Sequence, residues 1–503
     1  MKNFLSNLKY DFAASIVVFF VALPLCLGIA LASGAPQFSG IIAGIIGGII
    51  VGFLSGSQLG VSGPAAGLAV LVLGYISTLG SWEAFLLAVV VMGVIQLISG
   101  FLKLGTIAYY FPSSVIKGML SGIGLIIVLK QLPHAVGYDK NLISDMDFDH
   151  FGSLDAFFNL SHLLNYITPN AVIITLISML TLTLWNRPTI KHNKLLKIVP
   201  GPFVAVIFGI ILSNILPLRP HQVVNLPISG NLSEFFGHFQ TPDFSQLKNP
   251  EVYGIALVMA IVASLETLLC VEAADKLDPQ KRVTPTNREL KAQGLGNILS
   301  GLVGGLPITQ VIVRSSANIN FGARTKTSTI FHGLFLLISA VSIANILNMI
   351  PLATLACILL VVGYNLAKPA TFKSMYKLGH EQFVPFILTI IGMLVFDLLK
   401  GVGIGMVAAI FFILYNNFKN SYCEIIDKEG KDHSHTITLS QEVTFLNKGS
   451  ILQMLKDIPE SCEVIIDATK CNSIHQDIIE IIRDFKTNAK TKKIKLTIKG
   501  LEV

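Results

Sequence analysis

The residues best suited to chemistry lie at 304–314, where two glycines, a proline and Arg314 stand between two apolar segments. A glycine and proline break frees backbone N–H groups. A helix that begins just after the break directs those groups, with the positive end of its dipole, at whatever lies in front. Arg314 adds a full positive charge in a region where charge is costly. The pattern predicts an anion-binding site at membrane depth.

A second break of the same kind has the sequence Gly-Val-Ser-Gly-Pro-Ala-Ala-Gly and contains Pro64. Its small residues let the backbone approach a ligand closely, and proline suits the first turn of a helix. The helix starts after the two breaks, at Ala65 and Ala66 and at Val311 and Ile312, could face each other across one small anion. The alternative is that the small residues only allow close helix packing.

Glu266 places a carboxylate near the middle of an apolar segment that continues to Cys270. An ionisable residue inside the membrane indicates a functional site. If Glu266 is ionised, it needs Arg314 or a bound cation as its partner, and if it is neutral it could carry a proton. The alternative is a structural Glu266–Arg314 ion pair that only holds two halves of the protein together.

Leu25 and Ile29 lie four residues apart in the first apolar segment, so they share one helix face. This face could line a cavity, although ordinary core packing explains two aliphatic side chains equally well. Pro24, in the same segment, predicts a kink in the helix.

The composition predicts a membrane protein. Of the 503 residues, 52% are hydrophobic and 13% are charged, against about 25% charged in soluble proteins. Apolar segments that can span a bilayer recur from residue 11 to residue 418, and about fourteen helices are predicted. The net charge of +7 is spread over short loops, so no nucleic-acid partner is expected. No nucleophile–base pair, phosphate loop or metal cluster is visible, and the sequence therefore does not predict an enzyme.

Loop charges predict the orientation. Loops 187–197, 275–291 and 368–381 are basic and loop 134–167 is acidic, which places both termini in the cytoplasm. The paired breaks favour a seven-plus-seven inverted repeat, in which such breaks build a site at the membrane midplane. From residue 421, alternating strand and helix patterns, of which the first is a strand at 436–445, predict a small cytoplasmic α/β domain. The expected domains are therefore 1–420 in the membrane and 421–503 in the cytoplasm.

The chain resembles the SulP family of inorganic anion transporters, the sulphate permease or solute carrier twenty-six group. The similar motifs are Val-Ala-Leu-Pro-Leu at Pro24, Val-Ser-Gly-Pro at Pro64, Leu-Glu-Thr-Leu-Leu at Glu266, and the stretch from Pro307 to Arg314. The tail motifs Asp-Ala-Thr and Ile-Arg-Asp-Phe resemble a STAS domain. The resemblance covers essentially the whole chain. It implies a fourteen-span inverted repeat with core and gate domains, a homodimer, and elevator-like movement of the core.

The resemblance also implies site residues. The anion would lie between the helix starts at Ala65-Ala66 and Val311-Ile312, near Arg314, Leu25 and Ile29. In family members that resemble sodium–bicarbonate symporters, the acidic residue of the eighth span helps to bind the cation, and here that residue is Glu266.

Three positions depart from the symporter pattern, because Cys270, Ile312 and Ala65 replace hydroxyl residues. The departures weaken the case for Na⁺ at Glu266 and leave proton coupling open. In the tail, Gln476 stands where regulatory STAS proteins carry a phosphorylatable serine, which argues against a phosphorylation switch there.

We therefore expect a secondary active transporter of small inorganic anions, bicarbonate or sulphate above all, in the inner membrane of a bacterium. Na⁺ or H⁺ would be the coupling ion, and no other cofactor is expected. Two alternatives stay open. One is a membrane sensor that signals through its STAS domain without net flux, and the other is a nucleobase–cation symporter of the same architecture.

Overall fold

The structure is a computed structural model that describes residues 2–106, 111–137, 167–185, 187, 199–228, 232–396, 398–419, 422–427 and 434–501. The chain divides into two compact units. The first comprises Met1–Gly379 and Phe386–Gly405, and the second comprises His380–Pro385 and Met406–Val503. Most of the predicted loops 134–167 and 187–197 lies outside the described residues.

Within the described part of the chain, fourteen helices correspond one to one to the predicted apolar segments. They are α1 (Lys2–Ala32), α2 (Gln37–Ile46, continued by a π-helical turn Gly47–Val51 and by Gly52–Leu54), α3 (Ala66–Leu79), α4 (Trp82–Phe101), α5 (Ser113–Ala135), α6 (Pro169–Trp185), α7 (Gly201–Ile215), α8 (Pro250–Leu277), α9 (Thr286–Leu302), α10 (Ile312–Asn320), α11 (Thr327–Ser342), α12 (Leu352–Leu366), α13 (His380–Val395) and α14 (Leu398–Lys419). Among the residues searched, six helices are long and apolar enough to cross a membrane by length and composition, and six more apolar helices are shorter.

Glycines allow the helices to cross at close range. At each of three crossings, a Cβ on one glycine would lie within 2.6 Å of the backbone of the facing glycine, so no larger residue fits there. The three crossings are α4 with α9 at Gly93 and Gly294, α2 with α11 at Gly48 and Gly333, and α5 with α12 at Gly124 and Gly363. In a seven-plus-seven inverted repeat, α2 corresponds to α9, α4 to α11 and α5 to α12. The crossing of α4 with α9 then corresponds to the crossing of α11 with α2, and the crossing of α5 with α12 corresponds to itself. The packing therefore has the predicted inverted-repeat symmetry.

The two glycine and proline breaks, both in the first unit, form a small sheet that was not predicted from the sequence. Strand β1 (Ser62–Pro64) precedes α3, and β2 (Ile308–Gln310) precedes α10. They pair antiparallel, with Gly63 opposite Thr309. The breaks therefore satisfy each other's backbone hydrogen bonds, which unwound segments inside a membrane require.

The tail forms the predicted α/β domain. Its four-stranded sheet has the order β3 (Tyr422–Asp427), β4 (Ser434–Leu439), β6 (Glu463–Asp467) and β8 (Lys495–Lys499). Strand β3 is antiparallel to β4, while β4, β6 and β8 run parallel. Helices α15 (Lys448–Asp457) and α16 (Gln476–Thr491) complete the domain with the short parallel pair β5 (Glu442–Val443) and β7 (Ser473–Ile474).

The strand expected at 436–445 is in fact two strands. It divides after Leu439 because β4 pairs with β6 and β5 pairs with β7. Strand β3 was not predicted from the sequence.

Candidate functional site

The β1–β2 ladder brings the starts of α3 and α10 together. Helix α3 begins at Ala66 after the N-cap residue Ala65, and α10 begins at Ile312 after the N-cap residue Val311. Neither N-cap side chain makes a capping hydrogen bond. The first-turn N–H groups of both helices therefore need other acceptors, and the positive ends of two helix dipoles lie at the same place.

Side chains of α8 reach both helix starts. The carboxylate of Glu266 lies against Gly67, in the first turn of α3, since an ideal Cβ on Gly67 would lie 2.8 Å from its Oε2. Sγ of Cys270 lies near the N–H of Ile312, the first residue of α10. Glu266 and Cys270 are four residues apart and thus on one face of α8. The two predicted coupling-ion residues therefore lie at the predicted anion-binding helix starts.

The residues at the two helix starts and on the facing side of α8 are partly exposed, whereas the two N-cap residues are buried. Ala66, Glu266, Cys270 and Ile312 are half-buried, and Val313 is 39% exposed. Ala65 and Val311 are buried. The exposed surface nearest the helix starts therefore lies between α8 and the starts of α3 and α10.

Arg314 lies fully buried behind the ladder. A Cβ at Gly63 would come within 2.1 Å of its Nη1, so the guanidinium packs directly on the Gly63 backbone. Cys26 and His332, both also 0% exposed, are its titratable neighbours. None of its three nitrogens has a hydrogen-bond partner in the described chain. The structural Glu266–Arg314 pair considered from the sequence is therefore not formed, because Glu266 lies at Gly67 instead.

Leu25 and Ile29 are 4% and 2% exposed, and they belong to the main apolar cluster together with Ala65. Helix α1 packs against both α3 and α10. The two side chains therefore lie in the core beside the helix starts, and any contact with an anion would require them to become exposed.

A stripe of polar side chains on α9 fixes the ladder from behind. Gln293 Nε2 donates to Ser62 Oγ at 2.8 Å. The N–H of Ile308 donates to Asn297 Oδ1 at 2.6 Å, while Asn297 Nδ2 donates to the Ile308 carbonyl oxygen at 3.0 Å. The buried polar residues of this face recur every three or four positions, at Glu289, Gln293, Asn297 and Ser300.

Sequence reasoning treated α9 as an ordinary apolar span and missed this stripe. The spacing of its polar residues on one face was the signal that could have revealed it. The N–H of Gln310, at the end of β2, donates to Thr267 Oγ1 at 3.3 Å, which also ties the ladder to α8. Together these bonds hold the two helix starts in one geometry.

Among the described residues, no group of three or more histidine, cysteine or acidic side chains could hold a metal ion. Toward a coupling cation, α8 offers the Glu266 oxygens, of which Oε2 is buried without a hydrogen-bond partner, and the Cys270 thiol. A carboxylate suits Na⁺ or a proton, but a thiol is a soft ligand that suits hard cations poorly.

Paired broken helices in an inverted repeat are the architecture of secondary transporters, and this is the class that the fold defines. Residues 8–389 match the model of the sulfate permease family, and the chain belongs to that family. The chain is 28% identical over 411 residues to the putative sulfate transporter YvdB of Bacillus subtilis. This alignment covers 82% of this chain and 74% of that protein. It is 29% identical over 411 residues to the bicarbonate transporter BicA of Picosynechococcus sp., over 80% and 69% of the two chains.

Two solved structures have the same fold. The transmembrane domain of a cyanobacterial bicarbonate transporter BicA matches with a TM-score of 0.65 and 24% identity, over 80% of this chain and 97% of that one. The overall structure of SLC26A9 matches with a TM-score of 0.79 and 16% identity, over 99% and 85% of the two chains. The protein is thus a multi-pass membrane anion transporter and not an enzyme, which confirms those predictions.

Proposed function

We propose that this protein is a secondary active transporter of bicarbonate or sulphate, driven by Na⁺ or H⁺. The observation that carries the proposal is the ladder, which joins two helix starts that have no side-chain caps. Behind the ladder lies the buried Arg314, which has no hydrogen-bond partner among the residues that the structure describes. Backbone N–H groups and two helix dipoles bind small anions without specific side chains. A nucleobase would instead need side chains that read its edge.

Arg314 contributes through its field. Its guanidinium is buried and has no hydrogen-bond partner in the described part of the chain, so the surrounding protein screens its charge weakly. The positive potential extends to the helix starts on the other side of Gly63. This arrangement favours a small, delocalised anion over a neutral solute.

Glu266 is the proposed coupling residue. It lies at the start of α3, is half-buried, and has one carboxylate oxygen free of hydrogen bonds in the described structure. A cation or proton bound there would offset the charge of the anion in a region of low dielectric constant. Cys270 in place of a hydroxyl ligand makes H⁺ as acceptable as Na⁺ at this position.

The proposal extends to the whole chain. Residues 1–420 would form the transport domain with core and gate parts, and 421–503 a STAS-like domain. The core would move as an elevator within a homodimer in the inner membrane, with both termini in the cytoplasm. Cross-linking of single-cysteine variants in intact membranes tests the dimer, and thiol labelling from either side tests the orientation.

Isotope uptake into proteoliposomes tests the function. Bicarbonate, sulphate, chloride and a dicarboxylate are compared under imposed Na⁺ gradients and, separately, pH gradients. We expect gradient-driven uptake of bicarbonate or sulphate by the wild type and its loss in Glu266→Gln. Anion binding without gradient-driven uptake by the wild type would instead support the sensor alternative.

A further inference from the structure

The Glu266 carboxylate occupies a position that an anion would take. An ideal Cβ built on Gly67 would lie 2.8 Å from its Oε2, 2.9 Å from its Oε1 and 2.9 Å from its carboxyl carbon. The whole carboxylate therefore lies against Gly67, in the first turn of α3. A negatively charged side chain at this position stabilises a helix start for the same reason that a free anion does.

The consequence depends on the proposed function, in which the transported anion uses the N–H groups at the start of α3. A carboxylate and a second anion cannot both occupy these donors, because two like charges at contact distance repel strongly in a medium of low dielectric constant. The other groups near Glu266 do not offset this repulsion between the carboxylate and the anion. Cys270 lies on the same helix, the first turn of α3 presents backbone and aliphatic side chains, and Arg314 on α10 is packed against Gly63.

We infer that Glu266 is a tethered competitor of the transported anion. In its ionised, unliganded form it fills the α3 half of the anion site. A proton or cation on the carboxylate neutralises it and lets it leave the start of α3 to the anion. The anion and the coupling ion then increase each other's affinity, as thermodynamic linkage requires.

Two substitutions separate the charge of Glu266 from its position. Glu266→Gln keeps the shape and removes the charge. Gly67→Ala keeps the charge but places a methyl group where the carboxylate lies, which is also the place argued for the anion. Glu266→Gln should therefore free the helix start, whereas Gly67→Ala should displace the glutamate and obstruct the anion together.

Each substitution has a matched control in the same helix. Glu272→Gln removes a carboxylate from α8 that is 47% exposed and paired with Lys276 at 2.5 Å. Gly74→Ala adds a methyl group to α3 at a place where nothing lies within 4 Å.

The readout is equilibrium binding of radiolabelled sulphate and bicarbonate to the full chain in nanodiscs, in sodium-free, mildly alkaline buffer. We expect Glu266→Gln to bind the anion at least about 10-fold more tightly than the wild type, within the usual range of coupling between sites, and Gly67→Ala to bind it more weakly, because its methyl group fills the anion position. Added Na⁺ or acid should raise the affinity of the wild type and both controls, but not that of Glu266→Gln.

Equal or weaker binding by Glu266→Gln overturns the inference, and that variant alone decides the matter if Gly67→Ala does not fold. This failure is distinct from failure of the proposed function. In the latter case, neither anion binds the wild type or any variant under any condition.

Discussion

Replacing Arg314 by methionine should stabilise the protein without its anion and weaken anion binding at the same time. Methionine has similar length and enough flexibility to fill the space beside Gly63. The guanidinium is 0% exposed, and its three nitrogens have no hydrogen-bond partner within the described residues. A residue that contributed mainly to folding would not be left in this condition.

The size of the stabilisation follows from this burial. A buried polar group without a partner costs about 1–3 kcal/mol, and more if it is charged. The imidazole of His332 is also buried and lies near the Arg314 guanidinium, so a second polar group is close to this charge. Removal of the charge should therefore raise the free energy of unfolding by about 2–4 kcal/mol, on the scale of those costs.

The effect on binding has the opposite sign. Because Arg314 acts on the anion through its field, the loss is a Coulomb energy of about 1.5–3 kcal/mol for unit charges roughly 6–11 Å apart at an effective dielectric constant of about 20. Its loss corresponds to roughly 10- to 150-fold weaker binding, because 1.4 kcal/mol is a factor of ten. The same substitution should thus make the unliganded protein more stable and the bound anion less tightly held.

The assay is thermal unfolding of the purified protein in detergent, with and without sulphate or bicarbonate. Arg314→Met should melt several degrees higher than the wild type without anion and should show little further shift when anion is added. The matched control is Arg324→Met, which removes an exposed arginine that lies 3.7 Å above the Tyr10 ring. A lower melting temperature for unliganded Arg314→Met would refute the reasoning, since it would show that the arginine is held by stabilising contacts.

Two further predictions concern the framework. Asn297→Ala leaves Gln96 Oε1, which accepts from Asn297 Nδ2 at 2.7 Å, and both backbone groups of Ile308 without partners. It should lower the free energy of unfolding by about 2–5 kcal/mol, at about 0.6–1.7 kcal/mol per bond, and an unchanged melting temperature would contradict this. Asp278 lies in the loop after α8, and burial raises the pKa of its carboxyl group. The hydrogen bonds and charge of Arg282, whose Nε lies 2.6 Å from Oδ2, outweigh the effect of burial, so the pKa of Asp278 is lowered overall. The stability from this pair is present above the unfolded pKa of about 3.9 and is lost as pH falls through the lower folded value. Arg282→Gln should therefore melt lower than the wild type at neutral pH. In acid the difference should shrink to what the bond from Arg282 Nη1 to the Arg324 carbonyl oxygen contributes, and a difference of unchanged size in acid would rule out the ion pair as its source.

Much of the fold was predictable because it depends on local composition. Apolar segments of sufficient length can only be helices in a membrane, since each backbone group must be satisfied within its own segment. The two glycine and proline breaks, Glu266 and Arg314 were equally visible, because each violates the apolar pattern around it. The small tail domain followed from alternating strand and helix patterns, although the division of 436–445 into β4 and β5 depended on which distant strand each part joins.

The sequence by itself determined that two broken helices, the intramembrane carboxylate of Glu266 and the intramembrane Arg314 exist in a chain of membrane helices. Only the tertiary structure decided how they combine. It placed Glu266 against Gly67 and not against Arg314, and it buried Arg314 behind Gly63 without a hydrogen-bond partner among the described residues. The physical reason is that the β1–β2 ladder and the α9 stripe act over more than two hundred residues of sequence. Which donor faces which acceptor across that separation is fixed by packing, which no local pattern records.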